Sequence, residues 1–141
     1  MIVWLLASSV SMAKFEETVS FSRLEVRCCA AAPSRMMRAI RNQQELKSVL
    51  GRSRVTLPVV DFRKNMLILI SMGRQPSSGY QTRITSVVDT VQTLKVQIEE
   101  TIPGRSCLVT DAETRPCDLV LTKKVNKRLA FEVTPQTKDC Q

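Results

Sequence analysis

The sequence predicts a mainly β protein, an antiparallel β sandwich or barrel with one short packed α-helix. Three observations carry that prediction. Met66 to Ile70 is an unbroken apolar run, as in a strand covered on both faces. Downstream, Tyr80, Thr82 and Ile84 alternate with Gln81, Arg83 and Thr85, and Leu94, Val96 and Ile98 alternate with Lys95, Gln97 and Glu99, the period of half-exposed strands. Only "NQQELKSVLG" carries helix signals at both ends. A chain of 141 residues, 43% hydrophobic and 24% charged, is globular in composition and most simply forms one domain.

Taken in order, "FSRLEVR" sets Phe21, Arg23 and Glu25 against Ser22, Leu24 and Val26, a short strand with one buried face. Pro33 interrupts, and "RMMRAI" follows as a second short strand. Asn42 is the expected helix N-cap, with Glu45 closing a capping box, Leu46, Val49 and Leu50 forming the apolar stripe and Gly51 stopping the helix. So short a helix must dock that stripe on a sheet to persist. "VVDF" leads into the central strand at Met66. The two alternating segments are joined by "DTVQT" and should form an antiparallel hairpin. "TIPGRSC" reads as a turn and "LVTDAETRPC" as an exposed excursion. "DLVLTKKV" and "LAFEV" are two further strands, separated by a tight basic turn at Asn126, Lys127 and Arg128. The domain so defined spans residues 19–134, with 135–141 as a flexible tail.

Residues 1–13 resemble an export signal: Ile2 to Val10 is apolar, and Ser11-Met12-Ala13 suits cleavage after Ala13. No Lys or Arg precedes the apolar run, which departs from the pattern. The expected location is therefore exported or cell-envelope, or cytoplasmic if this segment is not a signal. The run is too short to span a bilayer, which needs roughly 20 apolar residues. Of the cysteines, Cys28 and Cys29 are adjacent, whereas Cys107 and Cys117 bracket a segment that could fold back on itself, so the two readings are a Cys107–Cys117 disulfide in an exported chain and free thiols. No C-x-x-C spacing exists to hold a structural zinc, and no metal or cofactor is expected.

The chain has no histidine, which excludes Ser-His-Asp and Cys-His nucleophile systems. Glu99 and Glu100 are adjacent and, on a strand, face opposite sides, so they make a poor acid/base pair. An enzyme is not expected. The net charge is +8, and its excess lies between Ser22 and Lys64, where Glu25, Glu45 and Asp61 are the acids. That excess fits a solvated basic face or attraction to an anionic surface. No aromatic residues interleave with it as a base-stacking platform requires, so nucleic acid is not an expected partner.

The order "VVDFRKNMLILISMG", "RQPSSGY", alternating hairpin, "EETIPG" and "RPCDLVL" resembles the C-terminal domain family of the bacterial protease-complex subunit PrcB. The matching landmarks are Asp61-Phe62, the apolar strand ending at Gly73, Pro76 followed by Gly79-Tyr80, Pro103-Gly104 and Pro116. The resemblance implies a small non-catalytic domain of exported proteins, associated in its namesake with assembly or stability of a surface serine-protease complex. The loop Pro76-Ser77-Ser78-Gly79-Tyr80 also looks like the Pro-Thr-Thr-Gly-Tyr loop of chagasin-type cysteine-protease inhibitors.

That loop is not a phosphate cradle, because the spacing of Gly73 and Gly79 and the Tyr80 that follows do not fit the Walker pattern. Pro76 presets a turn, Gly79 accepts positive φ and Tyr80 starts the next strand, so the loop either only shapes a turn or also presents a rigid surface to a partner. The expected partner-binding set is Gln75, Pro76, Ser77, Ser78, Gly79 and Tyr80 with Pro103, Gly104 and Arg105. The expected partner is a protein, a protease among the candidates. The alternatives are a chagasin-like inhibitor acting through Pro76 to Tyr80, and a basic adaptor for an anionic envelope polymer.

Overall fold

The computed structural model describes residues 15–25, 32, 34–51 and 56–140. The expected signal segment 1–13, Val26 to Arg27, the pair Cys28 and Cys29, and Pro33 lie outside the described residues. The elements are β1 (Glu16–Thr18), β2 (Phe21–Arg23), β3 (Arg35–Ile40), α1 (Gln43–Leu50), β4 (Asn65–Met72), β5 (Gln81–Thr90), β6 (Thr93–Pro103), β7 (Cys117–Lys123) and β8 (Arg128–Lys138). They form two four-stranded sheets, ordered β1-β5-β6-β8 and β2-β7-β4-β3, packed as a sandwich that does not close into a barrel.

Met66, Ile68 and Ile70 of β4 point between the sheets, where they meet Val120 of β7, Ile84 and Val87 of β5 and Leu94, Val96 and Ile98 of β6. Leu67 and Leu69 point the other way, under Leu46 and Leu50 of α1 and beside Leu57, Val60 and Phe62. The unbroken apolar run thus reports a strand with a core on each face. Sheet β1-β5-β6-β8 lacks such a cover, which is why its strands alternate. The helix begins as expected: the Asn42 side chain accepts from the Glu45 N–H at 2.8 Å. Glu45 accepts in turn from the N–H of Arg41, one residue before the cap. Gly51 ends the helix with a right-handed φ of −76°, so its role there does not depend on a left-handed turn.

Three connections differ from expectation. The turn at 124–127 does not join a hairpin, because β7 and β8 lie in different sheets. Instead β8 pairs in parallel with β6, from Thr93↔Arg128 to Pro103↔Lys138. Parallel neighbours need a long crossover, and β7, running through the opposite sheet, is that crossover. The expected tail is strand for the same reason: Pro135 to Lys138 continue the ladder, and a proline is admissible because β8 is an edge. Finally, residues 73–80 link β4 in one sheet to β5 in the other, a change of sheet and not a hairpin turn.

Polar contacts tie the sheets together across the apolar filling. Asp118 of β7 is buried, and its carboxylate accepts from the Arg23 guanidinium at 3.0 and 3.2 Å, from the N–H of Ile84 in β5 at 2.9 Å and from its neighbour Leu119 at 3.0 Å. Arg23 also donates to the Ile84 carbonyl at 2.8 Å. Buried Glu100 of β6 meets Arg35 of β3 at 2.8 Å, a charge contact not aligned as a hydrogen bond. Glu99, its neighbour, faces solvent, as strand alternation requires.

Asp118→Ala strands a guanidinium and two backbone donors, and should cost about 3–5 kcal/mol in urea-induced unfolding. Arg23→Ala leaves the carboxylate its two backbone donors and should cost less, about 1–2 kcal/mol. Equal losses would show that the backbone bonds to Asp118 contribute nothing.

Candidate functional site

Two loops meet at the end of the sandwich where β4 stops and β5 starts. The first, 73–80, is built on glycines: Gly73 and Gly79 have φ of 72° and 94°, the left-handed region that other residues enter only with strain. Gly79 is also packed too closely for a side chain, since a Cβ there would lie 2.8 Å from Cβ of Pro103. The second loop runs from Gly104 to Pro116 between β6 and β7.

The loops are stitched to each other. Gln75 and Thr114 exchange backbone hydrogen bonds of 2.8 and 3.0 Å. The Thr114 hydroxyl donates to the Ser77 carbonyl at 2.7 Å. The Ser78 N–H donates to the Thr110 carbonyl at 3.2 Å, and the Thr110 N–H to the Ser78 hydroxyl at 2.9 Å. The Ser77 hydroxyl donates to the Ser78 carbonyl at 3.0 Å. Both serine hydroxyls are therefore engaged within the loop pair, and neither meets a basic side chain that could activate it as a nucleophile among the described residues.

The second loop is fastened to β8 as well. The Gly104 N–H donates to the Lys138 carbonyl at 2.9 Å, the Cys140 N–H to the Ser106 hydroxyl at 3.0 Å, and a disulfide joins Cys107 to Cys140 with Cα atoms 4.7 Å apart. This corrects the expected Cys107–Cys117 pairing. Cys117 is the first residue of β7, buried against the helix-covered face and disulfide-bonded elsewhere, while β8 brings Cys140 alongside the loop. The expectation failed because it treated 135–141 as a tail.

Between the stitched loops lies a depression of about 450 Å³, lined by Gly79, Tyr80, Pro103, Leu108, Val109 and Lys138 among others. A second, of about 300 Å³, flanks Tyr80 on its other side and includes Gln81, Arg83, Pro116 and the Arg23–Asp118 pair. Tyr80 is half-buried between them, and Leu108 and Val109 are exposed beside it. The structure thus brings Gly79 and Tyr80 together with Pro103, as the sequence suggested, and leaves Pro76 and Arg105 exposed on the rims of their turns. Ser77, Ser78 and Gln75 hold the loops in place. Leu108, Val109 and Lys138 were missed; the available signal was two adjacent large apolar residues at the head of an otherwise polar loop.

Comparison with known proteins places a family on this region. Residues 66–123 match the family model described as PrcB C-terminal. The match runs from β4 through β7 and contains both loops. Neither a curated protein nor a solved structure matches the chain significantly.

Gly79→Ala forces a side chain into the left-handed region and against Pro103, and should lower stability by about 1–3 kcal/mol in thermal or urea unfolding. Replacing Cys107 and Cys140 together by Ser opens a loop with a sequence separation of 33 and should cost about 3–4 kcal/mol. Peptide mapping without reduction should recover the Cys107–Cys140 peptide pair; recovery of Cys107 linked to Cys117 would refute the assignment.

Proposed function

From the match of residues 66–123 to the PrcB C-terminal family model, we propose that the protein is a non-catalytic interaction domain that binds or stabilises a protein partner in the setting of a protease complex. The observation that carries the reading is the Tyr80–Leu108–Val109 surface, a half-buried tyrosine beside two exposed apolar side chains on loops that hydrogen bonds and a disulfide hold rigid. Exposed apolar side chains around a depression are what a partner's own apolar group can cover, and rigid loops lose little entropy when it does. Tyrosine adds a polar tip that can bond to the partner's backbone.

Catalysis is not part of the proposal, because the serines serve the loops and the chain has no histidine. Export is part of it: the Cys107–Cys140 disulfide suits an oxidising compartment, in line with the signal-like segment at 1–13. The stitching of Pro76 to Tyr80 onto Thr110 and Thr114 favours docking by a broad face over insertion of a free loop into a protease cleft, the chagasin-like alternative.

Cross-linking in the native host followed by mass spectrometry should identify a protease or a subunit of its complex. Leu108→Asp should weaken binding to the purified partner by at least about tenfold, as for a side chain central to an interface. Its melting temperature should stay unchanged, because Leu108 is fully exposed. Unchanged affinity in both Leu108→Asp and Tyr80→Ala would overturn the assignment of this surface. Inhibition of papain-like enzymes by the purified chain would favour the chagasin-like reading instead.

A further inference from the structure

The opposite end of the sandwich, where β3 and β7 end, β4 and β8 begin and β5 turns into β6, has a different chemistry. It gathers Arg41, Lys64, Lys123, Lys124, Lys127 and Arg128 from separate stretches of chain. Contacts fix the grouping. The Lys124 N–H donates to the Lys64 carbonyl at 2.9 Å. The Arg41 guanidinium donates to the carbonyls of Lys127 at 2.7 Å and Val125 at 3.4 Å, and the Lys127 ammonium to Asp89 at 2.6 Å and the Thr90 carbonyl at 2.8 Å.

Few of these charges are neutralised. Asp89 is shared between Lys127 and Lys123, the latter at 3.9 Å, and Asp61 is engaged by Arg63 at 3.3 Å. Glu16 and Glu17 lie at the rim on β1, and Glu45 caps the helix. The side chains of Arg41, Lys64, Lys124 and Arg128 form no ion pair with a carboxylate among the described residues. Lys124 gives its ammonium to the Phe62 carbonyl at 2.9 Å, and Arg41 likewise uses carbonyls, contacts that orient a cation and leave its charge intact. The basic excess read between Ser22 and Lys64 is therefore not one face. Arg23 pairs with Asp118 within sheet β2-β7-β4-β3, Arg35 pairs with Glu100 of the other sheet, and Arg41 and Lys64 join the 123–128 segment here.

Beside these cations stand two exposed apolar side chains. Val91, in the two-residue turn between β5 and β6, is 68% exposed, and Phe15, next to the Glu16 that pairs with Thr90, is 51% exposed. Both line one depression with Glu16, Thr93 and Lys95. Lys127, bonded to Thr90, stands one residue from Val91.

We propose that this end docks on an anionic lipid bilayer, with Val91 and Phe15 entering the headgroup region and Lys64, Lys124 and Arg128 facing the phosphates. The combination selects the occupant. A soluble polyanion would satisfy the cations and leave Val91 and Phe15 in water, whereas a bilayer surface takes both, since apolar insertion and attraction to anionic lipid act together. Among the described residues no helix is long and apolar enough to cross a membrane. The strands of β5 and β6 hold the Tyr80–Leu108 surface about 30 Å away, facing outward from the lipid.

The test is co-flotation of the full chain with vesicles of phosphatidylcholine alone and of phosphatidylcholine mixed with phosphatidylglycerol, at low and high salt. The readout is the binding gained on adding phosphatidylglycerol; the apolar segment Ile2 to Val10 contributes to both vesicle types and cancels. That gain should fall at high salt. It should drop at least about tenfold in the Lys64→Glu/Lys124→Glu variant. Val91→Asp should lower it several-fold. If loss of the Lys124–Phe62 bond disturbs the fold, Arg128→Glu, whose side chain has no hydrogen bond among the described residues, should reproduce the loss. No gain from phosphatidylglycerol, or a gain retained in the charge-reversed variants, overturns the proposal. So does a gain indifferent to Val91→Asp accompanied by equally tight binding to soluble polyphosphate, which would reassign this end to a polyanion in solution.

Discussion

The loop end of this molecule rests on one carboxylate. Asp118 sits on β7 of one sheet and reaches the backbone of Ile84 on β5 of the other, while Arg23 closes over both. A sandwich filled only by apolar side chains is held by a nondirectional force, which fixes the distance between its sheets better than their alignment. Directed bonds across the gap add the alignment. They also explain a local irregularity: the β5–β6 register shifts between Ile84 and Ser86, next to the residue whose N–H leaves the ladder for Asp118. Because the same pair floors the depression beside Tyr80, the position of that tyrosine follows from it.

From that alignment the division between the two ends follows. At one end, glycine conformations, cross-loop hydrogen bonds and a disulfide hold both loops, and Leu108 and Val109 stand exposed beside the half-buried Tyr80. At the other, backbone carbonyls of the link 124–127 and of Phe62 are satisfied by lysine and arginine side chains that keep their charge. A four-residue link such as 124–127 cannot satisfy its own donors and acceptors, and recruits side chains.

What the sequence disclosed was what local pattern encodes. The capping of α1 by Asn42, the doubly covered β4 and the β5–β6 hairpin depend on residues within a few positions of each other, and all could be read. Whatever depended on distant pairing could not. Thr134 to Lys138 looks like a tail because a polar edge strand has no buried face to mark it, and its order comes from β6. Lys124 to Lys127 looks like a hairpin turn because length alone does not reveal a change of sheet. Asp118 did leave a trace, a single charge at the head of the apolar run Leu119 to Leu121, and such a residue must find partners. At the candidate site, Gly79, Tyr80 and Pro103 were legible as turn residues; the loop that completes the surface with Leu108 and Val109 was legible only once both loops were placed at one end.

The disulfide has a consequence for the order in which the chain is made. Cys107 emerges from a ribosome or an export channel well before Cys140, and Cys117 emerges between them. A disulfide formed between Cys107 and the next cysteine to emerge would join it to Cys117, ten positions along, and trap β7 outside its sheet. The native linkages require Cys117 to enter sheet β2-β7-β4-β3 and its own disulfide while Cys107 stays reduced until β8 has zipped along β6. An early oxidant and a late strand are thus in competition, and a cell producing this protein gains from a thiol isomerase that can reverse the first, shorter crosslink.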